Sequence, residues 1–180
     1  DILEAALLSI DSKDPLYTKM IQARSVIREK IVEVLLATTM PDLKDHLRFF
    51  NALSRLLSGR PEPVWIFTPN YDLLFELASS MAKVPLHDGF QGTSLRYFNI
   101  LSLNFLSGSI DGQIFRPFSQ PSFRLVKLHG SLDWWKDKSS VYSTQKPEQI
   151  QNLADRVMVL PRRKKITETL ESPFGDLFRI

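Results

Sequence analysis

Val64-Trp65-Ile66-Phe67-Thr68-Pro69-Asn70-Tyr71-Asp72 is the stretch of the sequence that decides the fold. Its first four residues form a continuous apolar run, with Pro63 before it and Thr68 and Pro69 after it. A short apolar run with such boundaries predicts a strand that is buried on both faces. Asp72 is a suitable N-cap for a helix whose apolar positions recur until about Lys83. The stretch therefore predicts a strand, a polar turn and a helix.

Two later apolar runs predict further strands, at residues 123–128 and 157–160. The first of them ends on the polar group Lys127, His129, Gly130 and Ser131. We expect all three strands to be neighbours in one parallel, doubly wound sheet of the Rossmann-like kind. In such a sheet, polar residues gather where the strands end.

The rest of the chain divides by pattern. Apolar residues recur at helical spacing over residues 16–40 and again over 42–57, which predicts two helices packed together. Residues 84–120 have no steady period and predict a long irregular connection with one or two short elements near 98–105. We therefore expect an N-terminal helical region (1–60) and an α/β core (61–180) within one structural domain.

The composition excludes several classes of function. The chain of 180 residues contains no cysteine, so a disulfide framework, a thiolate nucleophile and a cysteine-ligated zinc are impossible. Its three histidines have no spaced carboxylate partner, so we expect no metal site. A net charge of +3 is too small to make nucleic acid the leading partner. No apolar run is long enough for a membrane span, and we expect a cytoplasmic protein.

The turn around Asn70 has two interpretations. In the structural one, Asp72 caps the helix, Pro69 stiffens the turn and Asn70 hydrogen-bonds within the loop. In the functional one, Asn70 lies in a ligand crevice, where its amide holds a ribose hydroxyl or a water in a fixed orientation.

His129 also has two interpretations. It follows a buried strand and precedes a glycine, and its imidazole suits proton abstraction near neutral pH. It could equally be a hydrogen-bonded structural residue. We expect His46, in a helix, and His87, in a loop, to be structural. For Trp134 and Trp135, core packing is favoured over stacking on an adenine or nicotinamide ring.

At these residues the chain resembles the Sir2-like family, a divergent bacterial branch of the sirtuins. That family carries a Thr-x-Asn-Tyr-Asp turn after a strand and, later, a Lys-Leu-His-Gly-Ser strand end with an aromatic residue shortly after. Residues 68–72 match the first motif, and residues 127–131 with Trp134 match the second. The resemblance covers roughly residues 64–178.

The resemblance implies an incomplete sirtuin fold and a function in NAD hydrolysis, often in defence against phage. NAD is then the substrate, and no metal is needed. Asn70 would orient the ribose or the attacking water, and His129 would act as the general base. The resemblance also suggests five residues that contact the dinucleotide: Thr68, Asp72, Lys127, Gly130 and Ser131.

The sequence departs from the family in two places. No Gly-x-Gly occurs in the 180 residues, so the Gly-rich phosphate loop is absent. We expect the chain to be a piece that begins after that loop, and to bind NAD poorly by itself. Pro69 replaces a polar residue and removes a backbone donor beside Asn70. Without cysteines, the four-cysteine zinc module of sirtuin deacetylases is impossible, which disfavours deacetylation.

Other functions remain open from the sequence. The chain could be a sensor that binds NAD or ADP-ribose without cleaving it, or an oligomerisation module that acts through residues 84–120. The expected partners are NAD, further domains of a larger protein and other copies of the chain. The basic run 162–165 either contacts the dinucleotide phosphates or is a solvated loop, and the solvated loop is favoured.

Overall fold

The computed structural model describes residues 10–37, 41–60, 62–138, 140–150, 156–159 and 172–180, and these form a mixed α/β structure. The elements in chain order are α1 (Pro15–Leu36), α2 (Lys44–Leu56), β1 (Val64–Thr68), α3 (Leu74–Ala82), β2 (Leu86–His87), β3 (Phe90–Gln91), β4 (Arg96–Phe98), a 3-10 helix (Ile100–Asn104), β5 (Gly108–Asp111), β6 (Ile114–Pro117), β7 (Phe123–Lys127), β8 (Gly130–Asp137), β9 (Ser140–Ser143), a second 3-10 helix (Pro147–Gln149), β10 (Arg156–Met158) and α4 (Phe174–Leu177).

The two N-terminal helices form as predicted, but they belong to different hydrophobic clusters. Asp14 begins α1 by accepting a hydrogen bond from the Leu16 N–H at 2.8 Å. Val32 of α1 packs with Leu132 and Met158 of the later strands. Phe50 of α2 instead packs in the cluster beneath β1 and β7. The prediction that the two helices pack together is therefore wrong for their buried residues, which belong to separate clusters.

The first two predicted strands are parallel neighbours, as expected. The strand order is β1-β7-β2, and the register places Val64 opposite Phe123 and Thr68 opposite Lys127. The inner face of this sheet packs on α2 and α3 in one cluster of buried apolar side chains: Phe50, Ile66, Ala78, Phe123 and Leu125. The parallel sheet is thus held to its helices by one continuous core.

The strand β1 is covered on one face only, which corrects the prediction that it is buried on both. Its outward-facing side chains Trp65 and Phe67 are 36% and 54% exposed, and their rings stack with centroids 6.1 Å apart. Among the described residues, β1 pairs only with β7 and so forms the edge of the sheet. The strand β7 lies in the middle, and all five of its residues are buried.

The third predicted strand belongs to a different sheet, so the prediction of a single parallel sheet is wrong. β10 pairs antiparallel with β8 in a five-stranded sheet of order β10-β8-β9-β4-β3. The chain turns directly from β7 into β8 without a crossover helix, and an apolar run alone does not fix strand direction. The core of this second sheet is built from β-strand residues, α4 and Val126 of β7; its largest buried side chains are Phe90, Trp134 and Phe174.

The segment predicted as an irregular connection contains five short strands and a 3-10 helix. His87, expected in a loop, lies in β2 and pairs with Arg124 of β7. The hairpin of β5 and β6 forms a separate two-stranded sheet, in which Ile110, Ile114 and Phe115 are exposed. Among the described residues, no helix is both long and apolar enough to cross a membrane.

Candidate functional site

The parallel pairing of β1 and β7 brings the two polar turns to one edge of the sheet. Thr68 lies opposite Lys127, and the Leu128 N–H donates to the Thr68 carbonyl at 2.9 Å. Asn70 and His129 each follow these paired residues by two positions. The ring centroid of Tyr71, next to Asn70, lies 6.5 Å from that of His129. The Asn70 turn (residues 68–72) and the His129 turn (residues 128–131) are therefore neighbours.

Local hydrogen bonds fix the Asn70 turn. The Asn70 N–H donates to the hydroxyl of Thr68 at 3.1 Å, and the Thr68 side chain is buried. The Asp72 carboxylate accepts from the Leu74 N–H at 3.1 Å and so satisfies a donor at the start of α3, but the N-cap position is Leu73 and not Asp72 as predicted. The side chain of Asn70 itself is exposed. The turn thus holds its own backbone and presents Asn70 to solvent.

A chain of contacts through Tyr71 holds the His129 turn. The Tyr71 hydroxyl donates to the Val159 carbonyl at 2.6 Å, and the Val159 N–H donates to the His129 carbonyl at 2.9 Å. Burial raises the pKa of Tyr71, and the positive charge of Arg28 opposes this. The sequence motif alone did not indicate that Tyr71 connects the two turns. The half-buried His129 is placed through backbone contacts that sequence does not reveal.

Gly130 is required by strand packing. Its φ is +87°, and a Cβ atom there would lie 2.0 Å from the Val157 carbonyl oxygen. No L-amino acid side chain fits this position without moving β10. The close approach that the glycine permits in this structure is therefore to a backbone, whereas the resemblance suggested contact with a ligand.

Lys127 faces inward and is only 2% exposed. Its ammonium group lies 2.7 Å from a Glu76 carboxylate oxygen and 2.8 Å from the Ser131 hydroxyl, and it donates to the Asp72 carbonyl as well. Ser131 is completely buried. These contacts favour a supporting role for Lys127 and Ser131 over direct contact with a dinucleotide. The assignment of Thr68, Asp72, Lys127, Gly130 and Ser131 to cofactor binding stays a prediction.

Two acidic residues near the site were missed by the sequence reasoning. Burial raises the pKa of Glu76 to about 7; Lys127 opposes this, and the carboxylate of Asp133 adds to it. Asp133 accepts a hydrogen bond from the Ser143 hydroxyl at 2.6 Å. The one signal in the sequence was Lys127 itself, because a lysine that ends a largely apolar strand needs a partner when it is buried.

A cavity of about 420 Å³ lies beside the Asn70 turn. Its apolar lining is mostly leucine from α1, β8, α3 and the residue before α3, and its charged lining residues are Asp42, Asp72 and Glu148. Neither Asn70 nor His129 lines this cavity. This volume falls within the range of small-molecule sites in proteins. No group of three or more histidine, aspartate or glutamate side chains in the described ranges could hold a metal ion.

The remaining aromatic and basic residues are placed as follows. Trp134 is buried, with its ring centroid 5.0 Å from that of Phe90, so core packing is confirmed for it. Trp135 stacks on Tyr142 with centroids 4.9 Å apart. The imidazole ring of His46 packs edge-on against the ring of Phe75, and their centroids lie 4.9 Å apart. The predicted basic run 162–165 lies outside the described residues.

Comparison with known proteins does not assign the chain to a family. No protein-family model matches it, and no curated protein matches it in sequence. The two turns and the side chains around them are therefore the features that bear on function.

Proposed function

We propose that this chain is part of an NAD-hydrolysing domain of the Sir2-like type, with Asn70 and His129 as its catalytic residues. The observation that carries the proposal is the parallel register of β1 and β7, which brings the two motif turns to one sheet edge. In open α/β sheets, ligands bind where parallel strands end. We also propose that the chain belongs to a more complete domain with a Rossmann-like, sirtuin-like fold. That domain would be part of a larger bacterial antiphage protein.

To cleave the nicotinamide–ribose bond, the protein needs mainly to orient the reacting groups and to supply a base. Nicotinamide leaves as a neutral group from a cationic glycosidic bond, so no strong general acid is needed. Asn70 would hold a ribose hydroxyl or the attacking water, and His129 would accept the proton. Both residues belong to the same sheet edge, Asn70 exposed and His129 half-buried, which suits contact with a ligand that arrives from solvent.

The cavity beside the Asn70 turn suits the nicotinamide ring of NAD better than the pyrophosphate. Its charged lining is acidic, and carboxylates repel the pyrophosphate. The same carboxylates favour the cationic nicotinamide ring, which also suits the leucine walls. The pyrophosphate would need the backbone donors of a Gly-rich loop. We therefore expect the 180 residues alone to bind NAD weakly.

Release of free nicotinamide from NAD tests the proposal. The chain and a longer natural protein that contains it are incubated with NAD, together with the variants Asn70→Ala and His129→Ala. Loss of general-base help lowers rates by roughly 100- to 10,000-fold, so His129→Ala should retain very little activity while remaining folded. His46→Ala serves as the matched control for removal of an imidazole. Folded variants that cleave as fast as the wild type would refute the assigned roles, and NAD that is bound but not cleaved by the wild type would favour a sensor.

A second candidate, an oligomerisation module, is favoured by the exposed apolar hairpin. Ile110 and Ile114 are 78% and 61% exposed, and apolar side chains clustered on a surface commonly mark contact sites. Light scattering coupled to size exclusion tests this for the wild type and for the double variant Ile110→Ser/Ile114→Ser. A multimer that the double variant converts to a monomer would support this candidate, and a monomeric wild type would eliminate it.

A further inference from the structure

We propose that Lys127 is the positioning residue of the candidate site, and that its buried ammonium group braces the Asn70 turn against the His129 turn. The inference depends on the proposed function only in treating the two turns as one site. Its evidence is the set of contacts that the ammonium group makes.

Lys127 contacts three separate parts of the structure. It donates to the carbonyl of Asp72, which ends the Asn70 turn, and to the hydroxyl of Ser131, which ends the His129 turn, at 2.8 Å. Its third contact is the Glu76 carboxylate on α3, at 2.7 Å. An ammonium group has three N–H donors, and these three acceptors use all of them. No donor of Lys127 is left for a ligand.

The two turns are also joined directly, but by weaker bonds. The Leu132 N–H donates to the Tyr71 carbonyl at 3.0 Å, and the Ser131 hydroxyl donates to the same carbonyl at 3.4 Å. Hydrogen bonds that involve a charged group are about twice as strong as neutral ones. The Lys127 contacts are therefore the strongest link between the turns that carry Asn70 and His129.

Because Lys127 is buried, breaking its contacts with the two turns would cost free energy. A buried ammonium group is stable only where hydrogen-bond acceptors surround it, and Asp72, Ser131 and Glu76 supply three of them. If either turn moved away, the ammonium group would lose a hydrogen bond that water could not replace at this depth. The positions of the two turns are thus coupled through one side chain.

Amide hydrogen exchange, measured by NMR without any ligand, tests the inference. In Lys127→Met, the Leu132 and Leu128 amides, which bond to Tyr71 and Thr68, should exchange at least about tenfold faster relative to the amides of α2. Lys30→Met is the matched control: it breaks the exposed Lys30–Glu33 ion pair, whose separation of 2.5 Å is close to the 2.7 Å of Lys127–Glu76, and it should leave both amides unchanged.

A purely structural lysine would give a different result. In that case exchange would rise by the same factor in α2 and in both turns, or not at all, and either result would overturn the inference. If Lys127→Met does not fold, Ser131→Ala is measured instead, because it removes the Lys127 acceptor at the His129 turn, together with the longer Ser131–Tyr71 bond, and leaves the ion pair with Glu76. It should accelerate the same two amides by a smaller factor, and unchanged exchange there would equally overturn the inference. Since no NAD is present, failure of the proposed hydrolysis would not affect this test.

Discussion

The parallel sheet and the antiparallel sheet are held in different ways, and β7 belongs to both cores. The parallel sheet packs on α2 and α3, with Phe123 and Leu125 of β7 facing those helices. The antiparallel sheet forms its core with Trp134, Phe174 and the opposite face of β7, through Val126. Each core is apolar. The buried charges of Lys127 and Asp133 lie near the end of β7 where the chain passes from one sheet to the other.

The comparison shows where this fold can tolerate polar groups. Charged side chains are buried in this structure where carbonyl and hydroxyl acceptors reach them: Arg124 of β7 donates to the Phe105 carbonyl, and at the junction the two turns supply such acceptors to Lys127. The junction is therefore a buried polar region at the end of β7, and it is also the place where the two motif turns meet. Three substitutions separate the contributions of the helix-packed core, the junction backbone and the junction charges.

The largest expected loss of stability comes from a substitution in the core of the parallel sheet. Phe123 is fully buried, so Phe123→Ala should lower the free energy of unfolding by about 3–5 kcal/mol. Phe67 lies on the open face of the same sheet, and Phe67→Ala should cost about 1 kcal/mol or less. Urea denaturation of both variants measures the difference. Similar losses for the two would mean that the outer face of β1 is also covered.

The next effect is at the junction backbone. Gly130→Ala should cost about 3 kcal/mol or more, because φ is positive and the added methyl group would overlap the Val157 carbonyl. Gly112, in the β5–β6 hairpin, also has a positive φ but has open space around it. Gly112→Ala should therefore cost only about 1 kcal/mol. Equal losses in thermal or urea unfolding would contradict the close contact between β8 and β10.

The smallest effect concerns the junction charges and depends on pH. Because burial raises the pKa of Glu76 to about 7 from its ordinary 4.5, the folded state holds this proton more tightly than the unfolded state. The free energy of unfolding should therefore fall as pH rises from about 4.5 to 7, and level off above that. The charged groups that act on Glu76 include Lys127 and Asp133, and Glu76 in turn acts on Arg96.

Glu76→Gln should remove this contribution. The measured quantity is the difference in unfolding free energy between wild type and variant across pH 4 to 8, and it should decline through the stated window. Glu33→Gln, which changes an exposed carboxylate paired with Lys30, is the control and should show no such decline. A difference that rises with pH would mean that the attraction of Lys127 outweighs burial.

The sequence was sufficient for the parts of the fold that depend on short-range pattern. The helical periods and the apolar runs of β1 and β7 lie where the pattern predicted them, and the N-cap of α3 lies one residue after the predicted Asp72. The parallel pairing of β1 and β7 also followed, because a helix lies between them in the chain. The two motif turns were predicted as neighbours for the same reason.

The sequence was insufficient where long-range pairing decides the structure. The run at residues 157–159 has the same apolar pattern in a parallel or an antiparallel sheet, so the pattern does not show that β10 pairs antiparallel with β8. The contacts of Lys127 were missed because its partners Glu76 and Asp72 lie 51 and 55 positions before it in the chain. The role of Glu76 was missed for the same reason. A charge in a strand signals that a partner exists without saying which residue it is.

The central claim is that Asn70 and His129 act on one ribose, and a double-mutant cycle on nicotinamide release tests it most directly. The rates of wild type, Asn70→Ala, His129→Ala and the double variant are measured at saturating NAD with the protein that shows activity. Residues that act as a unit have non-additive effects. The account predicts that the double variant is about as slow as the slower single variant. Effects that multiply would contradict it, because they would mean that the two residues act independently.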